Sequence, residues 1–369
     1  MENNLEVLFQ PVNIGTVKIK NRIIMAPMVT NYCTSDGAVT NQLKTFLDAR
    51  AKGGAGLIIV EAAYVHPGGR GMSNQLGIHK DELIDGLKDL VDEIHRHKAK
   101  VAVQLFHCGR QGSSLLTGSS LIAPSSLPCP VCLEVPEEMT RDDINMIIEA
   151  FGHAAARAKK AGFDLVEIHG AHGYLINQFL SPYSNKRTDD YGGSFKNRTP
   201  FPLEVFHRIR KAVGNNYPVC YRISAEEFVD GGLTIEETTL FTRRLAENGI
   251  DAIDVSGGVF ESIDMIIQPS DKPHGLFANN ALMIKNAIKA VVPVIVAGNI
   301  KDPFMAKKIL DDGKADMIAF GRAFIADADF SRKAETGRTG EITTCTGCNK
   351  GCIDRLFEGK DISCTINPE

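Results

Sequence analysis

Four cysteines near the C-terminus, Cys345, Cys348, Cys352 and Cys364, follow the spacing C-x2-C-x3-C-x11-C. Thiolates are soft donors that select iron–sulfur clusters or zinc over hard cations, and four of them complete a cubane 4Fe-4S cluster. Gly347 and Gly351 fall between them, where a chain wrapping closely round such a centre benefits from residues without a Cβ. Zinc sites more often pair two C-x2-C knuckles, so the spacing favours a cluster over structural zinc and over incidental free thiols. A redox protein is the expectation.

A second constellation lies mid-chain in HGAHGY, which holds His169, His172 and Tyr174. Two imidazoles at this spacing can donate to a single carbonyl or carboxyl oxygen, and such donors stabilise the charge that collects there when hydride adds to a conjugated C=C bond. A zinc pair and plain loop histidines are the alternatives, but a third zinc ligand is not evident nearby. A phenol with pKa near 10 stays protonated at neutral pH, so Tyr174 suits a general acid; packing as a loop aromatic is its bland reading. Arg222 in YRIS offers a permanent cation, and Gln104 offers both a donor and an acceptor. Gly298 and Asn299 in AGN, with Gly321 and Arg322 in FGR, combine close backbone N–H groups with a guanidinium, the chemistry of a phosphate site. Cys129 and Cys132 in CPVC look like half of a redox or zinc site. Their loop-forming neighbours and the absence of a second pair close in sequence favour a structural reading, and Cys33 and Cys108 receive no role.

These residues need elements to hold them. β-branched and apolar runs at 22–26, 56–61, 100–106, 164–169, 219–224, 252–256, 294–297 and 317–321 alternate with helical patterns at 81–98, 142–160, 200–213, 235–248, 279–291 and 303–312. Thr234 with Glu237 forms a capping-box pattern, and Asp302 precedes a first-turn Pro303. Eight βα units predict an α/β fold, a (β/α)8 TIM barrel with a C-terminal four-cysteine iron–sulfur extension. The residues above fall just after strand ends, where barrels keep their sites, and the stretches 109–140 and 170–199 exceed ordinary connections.

Composition narrows the classes. The 369 residues are 43% hydrophobic with a formal charge of −4, enough for a large core and without a basic stripe for nucleic acid. Apolar runs fall short of the ~20 residues that span a bilayer, and the N-terminus lacks the pattern of a secretory leader. A cytoplasmic, reducing compartment is expected, and nine cysteines, an odd number, argue against a complete disulfide framework.

The strings NRIIMAPM, VEIHGAHGYLINQFLSPYSNKRTDDYGGSFKNR and the closing CTINP resemble the Old Yellow Enzyme family of flavin-dependent ene-reductases over essentially the whole chain. The cysteine tail is most similar to its iron–sulfur subgroup, the barrel domain of 2,4-dienoyl-CoA reductase, enoate reductase and trimethylamine dehydrogenase. The resemblance implies FMN bound by a barrel of residues 1–335, with Pro27, Met28 and Ala63 lining the flavin and Gln104 and Arg222 at its pyrimidine edge. It implies phosphate binding by Gly298, Asn299, Gly321 and Arg322, a 4Fe-4S cluster on an extension over 336–369, and His169, His172 and Tyr174 as catalytic groups for a small unsaturated substrate. In the dienoyl-CoA reductases a further histidine assists from the loop after strand six; SGGVFES puts Phe260 there, which speaks against dienoyl-CoA specificity. Full-length relatives continue into FAD- and NAD(P)H-binding modules. GxGxxG does not occur here, so a truncated or single-domain form, or a partner flavoprotein supplying electrons, is expected, with a homo-oligomer a further possibility. Two other readings stay open: an amine dehydrogenase, whose aromatic cage is poorly supplied by seven Tyr and no Trp, and a non-redox barrel enzyme for a phosphorylated metabolite with structural zinc.

Overall fold

Side chains along a β-strand alternate between its two faces, and in a closed barrel one face is the interior. The computed structural model describes residues 5–367; residues 1–4 and 368–369, the outer ends of the expected 1–335 and 336–369 division, lie outside the described residues. Eight parallel strands close into a barrel: β1 Ile23–Met25, β2 Leu57–Tyr64, β3 Lys100–Phe106, β4 Leu165–Gly170, β5 Val219–Ser224, β6 Ala252–Ser256, β7 Val294–Val296 and β8 Met317–Phe320. At the base, the inward positions are apolar and mostly small, among them Ala102, Leu165, Cys220, Ala252 and Ile295, and a hairpin carrying Ile14 and Ile19 plugs the floor. The alternate positions, such as Val103, Val166, Ile223 and Val255, face outward and pack beneath the helices.

Two residues further along β3, β4, β5 and β6, the same inward series turns polar, while β1, β7 and β8 stay apolar with Ala26, Ala297 and Ala319. Ala102 leads to Gln104, Leu165 to Glu167 and His169, Cys220 to Arg222, and Ala252 to Asp254 and Ser256. The pleat therefore delivers a polar arc to the C-terminal mouth above an apolar floor. β2 departs from strict alternation: its pairing with β3 slips between Val60 and Ala62, a bulge that inserts one residue and reverses the parity beyond it. Ala62 consequently faces the mouth, while Ala63 joins the layer beneath the helices.

The helices α1 Asn41–Lys52, α2 Ile84–His95, α3 Arg141–Lys160, α4 Pro200–Val213, α5 Ile235–Glu247, α6 Ala278–Ala287 and α7 Pro303–Asp311 ring the barrel. α1 is not among the helical patterns read from the sequence, although Thr40 caps it by accepting the Leu43 N–H at 3.3 Å. α2 begins after a 3-10 turn at Asp81–Leu83 and stops before Lys98 (φ 57°); α6 ends before Lys289 and Ala290, both at positive φ. Asp302 caps α7 through the Phe304 N–H at 2.9 Å. Thr234 caps α5, but Glu237 does not close the box, because its carboxylate pairs with the buried Arg198 at 2.5 Å.

Beyond β8 the chain runs through short helices at Arg322–Ala326 and Phe330–Glu335 and then folds back over the mouth. Ile325, Leu356 and Ile362 form a small apolar cluster with Met28, Val29 and Tyr32 of the loop after β1. Ile362 N–H donates to Thr30 O at 3.0 Å, and Tyr32 Oη donates to Ile362 O at 2.9 Å. No helix among the described residues is long and apolar enough to cross a membrane.

Gly170 ends β4 where a Cβ would lie 2.3 Å from the fully buried Tyr221 ring. Gly170→Ala is expected to destabilise the fold by about 1–3 kcal/mol, the usual cost of overpacking a tight core. A lowered urea midpoint at unchanged slope is the expected readout; an unchanged midpoint would show that Tyr221 moves aside freely.

Candidate active site

A cavity of about 220 Å³ opens at the C-terminal end of the barrel, walled by Pro27 and Met28 after β1, Gln104 on β3, His169 on β4 and Arg222 on β5. His169 sits at the inward parity of β4. Beyond it the chain turns through His172 (φ 61°) and Gly173 (φ 76°), which brings the second imidazole back beside the first. The two rings stand edge to face at 5.1 Å, and Tyr174 lies 4.9 Å from His169 and 4.5 Å from Phe106, centroid to centroid. Tyr174 occupies the N-cap position of a short helix, Leu175–Leu180, so the long stretch after β4 is ordered where the phenol needs support.

Hydrogen bonds orient the imidazoles. Ala171 N–H donates to Nδ1 of His169 at 3.4 Å, which leaves the ring proton on Nε2. His172 Nε2 bonds Ser256 Oγ at 2.7 Å, its backbone N–H donates to Ser224 Oγ at 2.9 Å, and Gln111 donates to its carbonyl at 2.9 Å. Both imidazoles are buried; burial first, and then the Arg222 cation, hold them well below the usual histidine range. They are neutral donors at physiological pH. Burial raises the Tyr174 phenol, so it keeps its proton.

Arg222 is buried beside Asp254, with Nε to Oδ2 at 3.6 Å, and its strand neighbours in register are His169 and Asp254. Gln104 donates from Nε2 to Glu167 Oε1 at 2.8 Å. Burial raises Glu167 well above the usual carboxyl range, with the Asp254 charge next, and burial raises Asp254 as well. Arg222 Nε is left without a hydrogen-bond partner although fully enclosed, an orphan that an anionic ligand ring would satisfy.

The far end of the cavity is lined by Gly298, Asn299, Gly321 and Arg322, as the sequence suggests. The Asn299 amide nitrogen is turned away, donating to Lys272 O at 2.9 Å, while Oδ1 is buried without a hydrogen-bond partner. Lys301 also lines this end, and the sequence reading passed over it. The charged residues on the cavity wall are Arg222, Lys301 and Arg322, three cations without a carboxylate among them. That inventory fits FMN, whose ring accumulates negative charge when reduced and whose phosphate is a dianion.

One expected flavin contact is corrected. Ala63 is absent from the cavity wall and Ala62 lines it, because the bulge in β2 reverses the alternation that would have pointed Ala63 inward. Glu167 and Asp254 were also passed over, although a carboxylate inside an otherwise apolar strand is a readable signal.

All four C-terminal cysteines line a second, smaller cavity, which shares Arg322, Ile325 and Cys352 with the first. Among the described residues no group of three or more His, Cys, Asp or Glu side chains closes on a single metal ion. Cys129 is buried in a turn closed by Leu133 N–H donating to Cys129 O at 2.7 Å; Cys33 and Cys108 are buried as well.

Comparison with known proteins supplies the context. The profile described as NADH:flavin oxidoreductase / NADH oxidase family matches residues 7–341. An NADH oxidase of Thermoanaerobacter brockii is 44% identical over 364 residues, covering 98% of this chain and 56% of the relative. Among solved structures, a 2-naphthoyl-CoA reductase complex superposes with TM-score 0.94 at 33% identity, covering 99% of this chain and 57% of that one. A histamine dehydrogenase from Rhizobium sp. 4-9 superposes with TM-score 0.88 at 31% identity, covering 99% and 52%. The chain thus spans little more than half the length of these relatives.

The depressed histidines stay neutral as pH falls through the usual imidazole range, and the raised phenol stays protonated as pH climbs. Binding of a non-ionising saturated ketone is therefore expected to be flat from about pH 6 to about pH 9 in calorimetric titrations. A midpoint near 6.5 would reveal a charged imidazole.

Proposed function

The chain belongs to the NADH:flavin oxidoreductase / NADH oxidase family, the Old Yellow Enzyme family, and on that footing we propose that it is an FMN-dependent ene-reductase for an α,β-unsaturated acid, ester, ketone or thioester. The observation that carries this reading is the meeting of two neutral imidazoles and a protonated phenol in one cavity whose charged walls are all cationic.

Gln104, Arg222, Gly298, Gly321 and Arg322 would hold a flavin in this cavity, and the flavin would supply the hydride for the β carbon. His169 donates from Nε2 toward the substrate carbonyl oxygen, and His172, anchored to Ser256, holds the second donor position. Donors fixed before the reaction stabilise charge as it develops on that oxygen without having to reorganise. Tyr174 delivers a proton from its hydroxyl to the α carbon, and its buried, raised phenol is protonated throughout the working range. Arg222 balances negative charge on the ring edge, while Gln104, steered by Glu167, hydrogen-bonds the same edge.

Cys345, Cys348, Cys352 and Cys364 would hold a 4Fe-4S cluster, which supplies or accepts single electrons. All four line one cavity, and the C-x2-C-x3-C-x11-C spacing suits a cluster, whose thiolates each bind a different iron, better than a pair of zinc knuckles. Its common wall with the flavin cavity supports a short electron path. An NAD(P)H-oxidising flavoprotein module or partner completes the chain of transfer.

The likeness to a histamine dehydrogenase keeps a C–N oxidation reading in view. Two imidazole donors and a protonated phenol suit a carbonyl oxygen better than an ammonium group, and that observation ranks the ene-reductase first. An anaerobic screen decides. Chemically reduced protein is mixed with enoates, enones and enoyl thioesters, and oxidised protein with histamine and methylamines. Reoxidation of the flavin by an unsaturated carbonyl compound is expected; bleaching by amines alone would reverse the assignment, and a colourless zinc protein would favour a non-redox barrel.

His169→Ala is expected to slow single-turnover reoxidation by about 10²–10³-fold, as for loss of one oxyanion donor. Tyr174→Phe should leave ketone binding intact and slow turnover of weakly acidic enones. In protein purified without oxygen, Cys348→Ser is expected to abolish the cluster's broad visible absorbance and most labile sulfide while FMN stays bound. Retention of full iron and sulfide would remove Cys348 from the ligand set.

A further inference from the structure

Lys301 follows the loop after β7, is only 6% exposed, and lines the flavin cavity beside Gly298 and Arg322. Among the described residues its ammonium has neither an ion pair nor a hydrogen bond. Its ammonium opens onto the cavity, and a cation held there beside a second one favours an anion between them. Arg322 lies close enough to add to the positive field at Lys301.

The surroundings say which anion. Lys301 lines the cavity together with Gly298 and Asn299, where the Gly298 carbonyl is taken by Leu276 N–H at 3.2 Å, the Asn299 amide nitrogen is committed to Lys272 O and Pro273 O, and the backbone N–H groups of Gly298 and Asn299 have no partner among the described residues. Strand ends seven and eight are the usual phosphate position of a barrel. On its other side, Lys301 Nζ lies 3.0 Å from where a Cβ of Gly347 would be, in the loop between Cys345 and Cys348. Gly347 N–H donates to Cys345 Sγ at 3.4 Å, and Arg322 donates to Asn349 Oδ1 at 2.7 Å. Both cations of this end therefore touch the cysteine loop.

We propose that Lys301 is the second cation, with Arg322, for the dianionic phosphate of a bound flavin mononucleotide, and that its seat against Gly347 links phosphate binding to closure of the cysteine loop. The proposal rests on the FMN reading above. A phosphate that draws Lys301 and Arg322 together steadies Gly347 and Asn349, and by reciprocity an ordered cysteine loop tightens the phosphate site.

Flavin-free full-length chain is titrated with FMN and with riboflavin, which has the same ring and no phosphate, and quenching of flavin fluorescence is read. The wild type should prefer FMN. Lys301→Met and Lys301→Gln should each lose about 10- to 100-fold in FMN affinity with riboflavin unchanged, and Lys301→Arg should stay within about threefold of wild type. A preference for FMN over riboflavin that is the same in Lys301→Met or Lys301→Gln as in wild type overturns the proposal. A wild type that binds both equally overturns the phosphate reading beneath it, a distinct failure. In cluster-free protein, FMN should slow alkylation of Cys345 by iodoacetamide more than riboflavin does, and Lys301→Met should erase that difference. Equal protection by both flavins in the wild type would refute the link to the cysteine loop.

Discussion

Everything at the mouth depends on the pleat of eight strands that cannot slip. Closure into a barrel pairs every strand on both sides, so register is held all round the ring and each inward position is committed. A polar residue two places beyond an apolar floor residue must then point into the mouth. Gln104, Glu167, His169, Arg222, Asp254 and Ser256 come from four different strands, and register stacks them in successive levels: Gln104 beside Glu167, then His169, Arg222 and Asp254 side by side, with Ser256 beyond.

Burial then sets the chemistry of these residues. The same loss of water that makes a charge costly leaves both imidazoles neutral and the phenol protonated, and it raises Glu167 well above the usual carboxyl range. The barrel interior thus brings neutral hydrogen-bond donors from the histidines and the tyrosine into one cavity with the Arg222 side chain.

The C-terminal segment owes its place to packing rather than to a second barrel element. Ile325, Leu356 and Ile362 bury against the loop after β1, and backbone bonds to Thr30 and from Tyr32 hold the segment there. One small apolar cluster therefore seats the cysteine cavity against the flavin cavity, with Arg322 and Cys352 in the wall between them.

Local chemistry made much of this legible beforehand. Alternating apolar runs marked the eight strands, and the positions just past their ends included the histidines, the tyrosine and the glycines that line the mouth, because period and turn residues are properties of short segments. The cysteine spacing was likewise visible as a pattern. Tertiary structure alone decided the rest. The slip in β2 put Ala62 rather than Ala63 on the cavity wall, since a bulge is a compromise between two paired strands and has no mark on either. Glu237 left the cap for Arg198, and the Asn299 amide turned toward Lys272, because competing partners were brought near only by folding. Lys301 reads in sequence as one more surface lysine. Its burial, and the lack of any partner for it, exist only once the β7 loop and the cysteine loop close over it.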